Sequence, residues 1–543
     1  MIRAAALVAV LLSVGGLATF RDIGRSAADT GPTPAHLALA LGLDQPVAHV
    51  EPRFLSVAID TAQVVGGEFW APGGTGEGLL HTHTTDSFDF SRPRLQNLAR
   101  ALGPAYLRIG GTAADRTVYR MDDASARAPL PDGARWALTR ARWDQVNAFA
   151  RATDFRIIFT LNAGRSARDA DGRWDPQSAR PLIEYTQRQS YPVDVWELAN
   201  EANAFPLLHW SWLSADRYAG DLLRARALLD DLHAPMRLAG LATAFWPVMG
   251  EWRSFTAPVL QRVGRSLDIV TWHYYPTQSD RCPFATRRAR AGELPDAGER
   301  ADVERWADQV ESAAHASAPQ AAVWLGETGS AQCGGEAGLS NSYADALWWL
   351  DELGRMARRG EGVVVRQTLA GSDYGLLDEQ ALQPNPSYWA SWLWRSFMGD
   401  RVIAVTATPS SGGVRAYAHC LRDPGEAVRE ADDGAVALLL ENLDAAQTVT
   451  VDLPAAAASG AGVLRFEAGR LDDRQVRAGG ALLEAGADGR PPAVPARDKL
   501  APGAKLELAP MSVAFVVLPR AAAPACSAQL AQTQPTRTWQ TSR

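Results

Sequence analysis

Two glutamates in this chain sit in matching surroundings. Glu201 lies in Trp196-Glu197-Leu198-Ala199-Asn200-Glu201-Ala202-Asn203, and Glu327 in Val323-Trp324-Leu325-Gly326-Glu327-Thr328-Gly329. Each follows an apolar, β-prone lead-in and precedes small or polar residues, the pattern of a buried strand ending at a loop. In a parallel α/β barrel the carboxyl ends of the strands carry the chemistry. Two carboxylates are the minimum for cutting a glycosidic bond, one as acid/base and the other as nucleophile or second base. A single Glu at a strand end is ordinarily a surface or salt-bridged residue. Two of them, each after a Trp-containing strand, point to catalysis.

The elements that must position them alternate along the chain. Strands are expected at Phe54–Asp60, Ala105–Ile109, Ile157–Asn162, Val193–Leu198, Met236–Leu241, Leu267–Tyr275, Val323–Glu327 and Gly362–Gln367. Helices are expected between them, for example over 143–152, 179–189, 215–231, 300–315 and 342–358. Such alternation implies a parallel sheet with crossover helices. The count of eight predicts a (β/α)8 TIM barrel over 50–398, with the two glutamates on its fourth and seventh strands. After Pro386 and a Trp-rich helix, short strands alternate with Gly, Pro and Asp turns. Residues 399–520 are therefore read as an all-β sandwich, to which a strand from 36–50 could add, and 521–543 as a polar tail.

Composition narrows the function. The 543 residues carry a formal charge of −7, with no basic footprint for nucleic acid, and no obligate protein partner is evident. Arg3 followed by the apolar run 4–12 and the small residues Gly16-Leu17-Ala18 reads as an export signal over 1–18, an uncleaved membrane anchor being the alternative. Export makes disulfides expected among the four cysteines. His81 and His83 form a pair in a Thr-rich loop, but the other histidines supply no further ligand set. No metal and no cofactor is expected. Trp196, Trp272 and Trp324 are read as packing inward, and Trp246, placed in a loop, as a residue that could stack on a sugar.

The Asn200-Glu201 and Gly326-Glu327-Thr328 segments resemble those of glycoside hydrolase family 79, the heparanase and β-glucuronidase family. The resemblance runs from about Phe54 to Cys526. It implies Glu201 as acid/base and Glu327 as nucleophile of a retaining enzyme. It further implies that Asp60, Thr112, Asn200 and Gln367 bind hydroxyls of the sugar, that Tyr275 hydrogen-bonds the nucleophile, and that Arg108 lies beneath it. The family's uronate pocket maps onto the backbone amides of Cys333 and Gly334, in Gln332-Cys333-Gly334-Gly335, and onto Tyr374. Amides of a glycine-rich turn hold an anion without net positive charge. A glucuronic-acid-containing glycan or glucuronide is thereby the implied substrate. A Cys420–Cys526 disulfide is implied as well, and Cys282 could pair with Cys333. The chain departs from the animal enzymes in two places. Thr243-Ala244-Phe245-Trp246-Pro247 stands where they carry Gln-Pro-Arg, and only a short connector, 122–135, stands where they have a long linker. Arg281, Arg287, Arg288 and Arg290 could replace the missing anion contacts. The competing readings are a barrel glycosidase for a neutral sugar (glucosidase or arabinofuranosidase) and a carbohydrate-binding barrel without catalysis.

Overall fold

The computed structural model describes residues 34–76, 81–410, 413–422 and 434–527. The expected export segment, 1–18, and most of the tail, 528–543, lie outside the described residues. Eight parallel strands close into a barrel: β1 (Leu55–Asp60), β2 (Ala105–Gly110), β3 (Phe155–Leu161), β4 (Val193–Leu198), β5 (Arg237–Trp246), β6 (Ile269–Tyr274), β7 (Ala322–Thr328) and β8 (Val364–Arg366). Pairing runs in chain order, and β8 returns to β1 to close the ring. The strands alternate with helices such as Arg140–Thr153, Ala215–Asp231, Ala297–Ser317 and Tyr343–Arg359.

Side chains alternate along each strand, so the barrel interior is built in layers. Tyr106, Ile158, Val195, Ile269 and Trp324 make an apolar layer low in the barrel. Two residues further along their strands, Arg108, Thr160, Glu197 and Thr271 form a polar layer joined by hydrogen bonds. The catalytic candidates lie above that. Of the three tryptophans read as inward, only Trp324 belongs to this interior cluster. Trp196 and Trp272 take the opposite parity and pack in the outer core with Trp143, Phe159 and Phe245.

The strand β5 runs further than the sequence suggests. Its register with β6 continues through Phe245↔Tyr274, so Thr243–Trp246 is strand and not loop, and Trp246 is half-buried at its end. Phe245 stays in the strand because its ring packs edge-on against Trp272.

The C-terminal module is one continuous path of strands that folds over on itself. The long strand Met398–Thr408 pairs with Val414–Leu421 through its first half and with the N-terminal strand His36–Gly42 through its second. The two layers enclose Leu37, Leu39, Leu438, Leu440, Val451 and Val516, while the alternate residues Leu439 and Phe515 pack towards the barrel. Cys420 is bonded to Cys526, which secures the chain just before the undescribed tail.

Candidate active site

Glu327 reaches the barrel mouth because of an irregularity in β7. Trp272 pairs with Leu325 but His273 pairs with Glu327, so β7 carries one extra residue at Gly326. An inserted residue flips the parity of the remainder of its strand and re-aims a side chain. Gly326 itself faces Thr271, whose Cβ would stand 3.2 Å from an added Cβ. Glu201 arrives by a different device. Ala199 and Glu201 both adopt left-handed backbone conformations (φ 67° and 53°), a sharp turn at the end of β4. Strained positions of this kind gather at functional sites. The Glu201 amide is held by the Ala242 carbonyl at 3.0 Å.

The two carboxyl groups end close together. One oxygen of Glu201, one of Glu327 and a ring nitrogen of His273 all lie within 4.8 Å of one another. His273 Nδ1 stands 3.2 Å from Glu201 Oε1 and 3.9 Å from Glu327 Oε2. Glu327 is held from two further sides. The Tyr275 hydroxyl donates to Oε1 at 2.7 Å, and Arg108 Nη1 donates to Oε2 at 2.7 Å. Burial alone would raise its pKa. The charges of His273 and Arg108, with the two hydrogen bonds, outweigh that and hold the Glu327 carboxyl below the usual range. The three donor groups have the spacing of a metal site, yet a cation between them would lie against the Arg108 guanidinium.

Arg108 organises this floor. Its Nε donates to Glu197 Oε2 at 2.9 Å, and its Nη2 donates to Asn200 Oδ1 at 3.0 Å. Glu197 is fully buried and also accepts from Thr160 and Thr271, both at 2.8 Å. Its carboxylate sits between two neutral donors and one cation, as a buried charge must. Because Asn200 Oδ1 accepts from Arg108 and from the Gly111 amide (3.2 Å), its side-chain NH2 is left to donate into the mouth. Asp60 caps the helix Thr61–Val65 through Oδ1 and the Ala62 amide. Burial pushes its carboxyl up to about 7, with the nearby Glu327 charge adding to the rise. Gly111 (φ +89°) makes room for it, since a Cβ there would stand 1.9 Å from Asp60 Oδ2. Thr112 follows, half-buried, at the start of a short turn of helix.

A second cluster lines one side of the mouth. Phe69, Tyr275 and Tyr374 pack together with the half-buried Trp70 against them. Gln367 Nε2 reaches the Tyr374 hydroxyl at 3.5 Å. Cys333, Gly334 and Gly335 are consecutive left-handed residues (φ 63°, 87° and 81°). Their amides have no hydrogen-bond acceptor among the described residues. The Gly334 carbonyl, in contrast, accepts from Ser372 Oγ (2.8 Å) and the amides of Asp373 and Tyr374. A side chain at Gly334 would strike Trp70 Cβ at 2.6 Å.

This turn is fastened from beneath. Cys333 is bonded to Cys282. The neighbouring Arg281 is buried and donates to the carbonyls of Ala71 (2.6 Å) and Gly335 and to Asp373 Oδ2 (2.6 Å). The arginines read as candidate anion contacts are thus engaged. Arg287 pairs with Asp302 and Glu299, Arg288 donates to the Ser279 and Cys282 carbonyls, and Arg290 pairs with Glu293. Of the loop pair, His83 stands 3.9 Å from Glu379 on the hairpin that carries Trp70, and His81 joins no cluster of metal-ligating groups among the described residues.

Sequence reasoning does not single out Glu197, His273, Trp70 or the fastening role of Arg281. The first two lie in strands recognised for other residues, and their inward parity is the available signal.

Residues 81–354 match the family model described as the N-terminal domain of glycosyl hydrolase family 79. Heparanase of Gallus gallus is 30% identical over 537 residues, covering 90% of this chain and 96% of that one. Baicalin-beta-D-glucuronidase of Scutellaria baicalensis is 27% identical, covering 80% and 84%. Among solved structures, the 4-O-alpha-L-rhamnosyl-beta-D-glucuronidase of Fusarium oxysporum superposes with a TM-score of 0.61 at 16% identity, over 89% of this chain and 100% of that one. An arabinofuranosidase of Xanthomonas axonopodis pv. citri gives 0.62 at 13%, over 89% and 99%; at such identity both speak to the fold alone.

Proposed function

The chain belongs to glycoside hydrolase family 79 and is a glycoside hydrolase, and from that premise we propose that it cleaves β-linked glucuronic acid with retention of configuration. The observation that carries the reading is the short approach of Glu201 and Glu327, oxygen to oxygen within 4.8 Å. Retaining enzymes keep their carboxyl groups about 5–5.5 Å apart, and inverting ones about 6.5–9.5 Å to admit a water.

In this reading Glu327 attacks the anomeric carbon while Glu201 gives its proton to the departing oxygen. The C1–O bond breaks and a glycosyl ester forms on Glu327. Glu201, now a carboxylate, takes a proton from water, which attacks C1 and releases Glu327. Tyr275 and Arg108 suit the nucleophile's role, since both favour its ionised form. Asn200, Asp60, Thr112 and Gln367 supply hydrogen bonds to sugar hydroxyls. The amides of Cys333 and Gly334 with the Tyr374 hydroxyl receive the C6 carboxylate. Action on a uronide, carried in the name of the Scutellaria baicalensis relative, fits this pocket of acceptorless amides. All four cysteines are paired, which suits an exported enzyme, and no helix among the described residues is long and apolar enough to cross a membrane.

The test pairs p-nitrophenyl β-glucuronide with the β-glucoside and follows the anomer first released by NMR. Glucuronide turnover with β-glucuronic acid appearing first is expected. Equal rates on both sugars would remove the uronate pocket, and α-product first would remove retention.

A further inference from the structure

Exposed large apolar side chains are few among the described residues, and five of the eight cluster by topology. Trp210 and Trp212 follow Glu201 in the loop after β4, at 78% and 70% exposure. Val248 and Met249 lie in the loop after β5, and Phe284, at 65%, in the loop after β6. β4, β5 and β6 are neighbours in the barrel, so these loops share one sector of its carboxyl end.

Hydrogen bonds join the loops into one rim. Arg253, after β5, donates to the carbonyls of Asn203 (3.1 Å) and Leu213 (3.0 Å) in the loop after β4, and lies 4.6 Å over the Trp212 ring. The Thr286 hydroxyl, two residues beyond Phe284, donates to the Pro247 carbonyl at 2.6 Å. Glu201 forms the inner edge of this rim. A leaving group must present its oxygen to the acid/base carboxyl, so what departs passes over the loops beyond it. The sugar's C6 side is taken by the loops after β7 and β8. The β4–β6 sector starts at Glu201 and is therefore the one we assign to the aglycone.

The exposed side chains named on these loops are apolar, and Arg281 and Arg287 are committed to partners, while Arg290 keeps only an exposed pair with Glu293. Arg281, Arg287, Arg288 and Arg290, the arginines after β6, are bound to carboxylates or carbonyls, and Arg253 is folded under Trp212. A sulfated chain would have to displace the partners of Arg281 and Arg287 to use either one. Exposed aromatic and apolar side chains on loops that are bonded to one another suit apolar or aromatic groups.

We propose that Trp210, Trp212, Val248, Met249 and Phe284 form the leaving-group subsite and that it takes an aromatic aglycone, making phenolic β-glucuronides better substrates than sulfated glycans. This rests on the glucuronidase reading above. The experiment compares wild type with the Trp210→Ala/Phe284→Ala double variant, both of whose side chains point largely into solvent. The probes are 4-methylumbelliferyl β-glucuronide, methyl β-glucuronide, an unsulfated glucuronosyl disaccharide and a defined sulfated heparan oligosaccharide. Loss of stacking is expected to raise KM for the umbelliferyl substrate about tenfold with kcat little moved, so its kcat/KM advantage over the methyl glycoside falls about tenfold. An unaltered ratio overturns the proposal. So does an equal loss on the disaccharide, which would make the rim a sugar platform, and so does faster, salt-sensitive cleavage of the sulfated oligosaccharide. A wild type that does not prefer glucuronide to glucoside would overturn the underlying reading. A wild type that does prefer it, with variants of unaltered ratio, overturns only the aromatic subsite.

Discussion

Of the buried arginine–carboxylate clusters among the described residues, one lies at the barrel mouth and another where the barrel meets the β-module. At the mouth, Arg108 is shared by Glu197 and Glu327. At the junction, Asp351 on the helix Tyr343–Arg359 forms ion pairs with Arg355 of the same helix, Arg300 of Ala297–Ser317 and Arg415 of the strand Val414–Leu421, and accepts a hydrogen bond from the Tyr417 hydroxyl of that strand. Burial pushes both acids up, and in both the surrounding positive charge wins and holds the carboxyl low. The difference lies in what else is within reach. Asp351 is held among three arginines and a phenol, with the acids Glu352 and Glu441 close enough to feel its charge, and it serves cohesion. Glu327 has a second carboxylate, Glu201, across an opening, with His273 between them. The same electrostatics give a structural joint in one place and, in the mechanism we propose, a carboxylate kept ionised for attack in the other.

Removing each acid should therefore fail in a different way. Glu327→Ala is expected to lower kcat on the order of 10⁴-fold or more, as loss of a nucleophile does, with the melting temperature little changed. Glu201→Ala should cost roughly 10²–10⁴-fold on poor leaving groups and much less on p-nitrophenyl substrates, where acid assistance matters little. Steady-state kinetics on both substrate types checks this. Equal losses on the two would take the acid role from Glu201.

Asp351→Asn should show the opposite signature. Breaking a buried ion pair by removing one partner costs about 3–5 kcal/mol, because Arg300, Arg355 and Arg415 lose a counter-ion they share, although Arg355 keeps Glu304. Denaturant unfolding is expected to show that loss, while kcat per folded molecule stays near wild type. Loss of kcat in fully folded protein would mean that the junction reaches the site.

Arg281 gives a third case between these two: buried and paired like Arg355, but placed under the turn of Cys333 and Gly334. If the fastening matters for recognition, Cys282→Ser/Cys333→Ser should raise KM for the glucuronide about tenfold, the worth of one charge-assisted hydrogen bond. The glucuronide-to-glucoside ratio should fall with it and kcat should move less. A ratio equal to wild type would reduce the disulfide to a loop tie.

How much a sequence discloses depends on the range of the forces involved. Glu201 and Glu327 are legible because a strand end and its loop are local patterns. Glu197 stands in the same octapeptide as Glu201, yet its partnership with Arg108 joins β4 to β2 across the barrel, and no local pattern encodes that. Arg281 looks like an exposed cation in the sequence because its acceptors, Ala71, Gly335 and Asp373, come from distant segments. The extra residue at Gly326 that turns Glu327 inward appears only in the register with β6. Thr243–Trp246 reads as loop because its strand character is fixed by packing on Trp272.

Glu361 supplies the control that the two clusters lack: a buried acid without an arginine bonded to it. Its Oε1 accepts from Trp272 Nε1 at 3.0 Å, and its Oε2 has no partner among the described residues. Burial, with repulsion from Glu311, pushes its pKa up to about 8, against an ordinary value of 4.5. The folded protein therefore keeps this proton over a range where the unfolded chain has released it. Stability falls wherever the folded state binds more protons, so the loss from this group accrues as pH rises from about 4.5 to about 8 and is absent below. Glu352 shifts the same way, to about 8, so the wild-type slope is not that of Glu361 alone. The comparison with Glu361→Gln isolates it. A neutral amide of the same shape cannot ionise, and the variant is expected to lie near wild type at pH 5 and to exceed it by several degrees in Tm at pH 8, since a rise of one pKa unit is worth about 1.4 kcal/mol and a chain of 543 residues moves by roughly 1 °C per kcal/mol. Differential scanning calorimetry at the two pH values reads the difference. A variant less stable at both would show that the carboxylic acid proton makes a bond worth more than its burial costs, and parallel slopes would show that Glu361 ionises in the folded protein as it does in the unfolded chain.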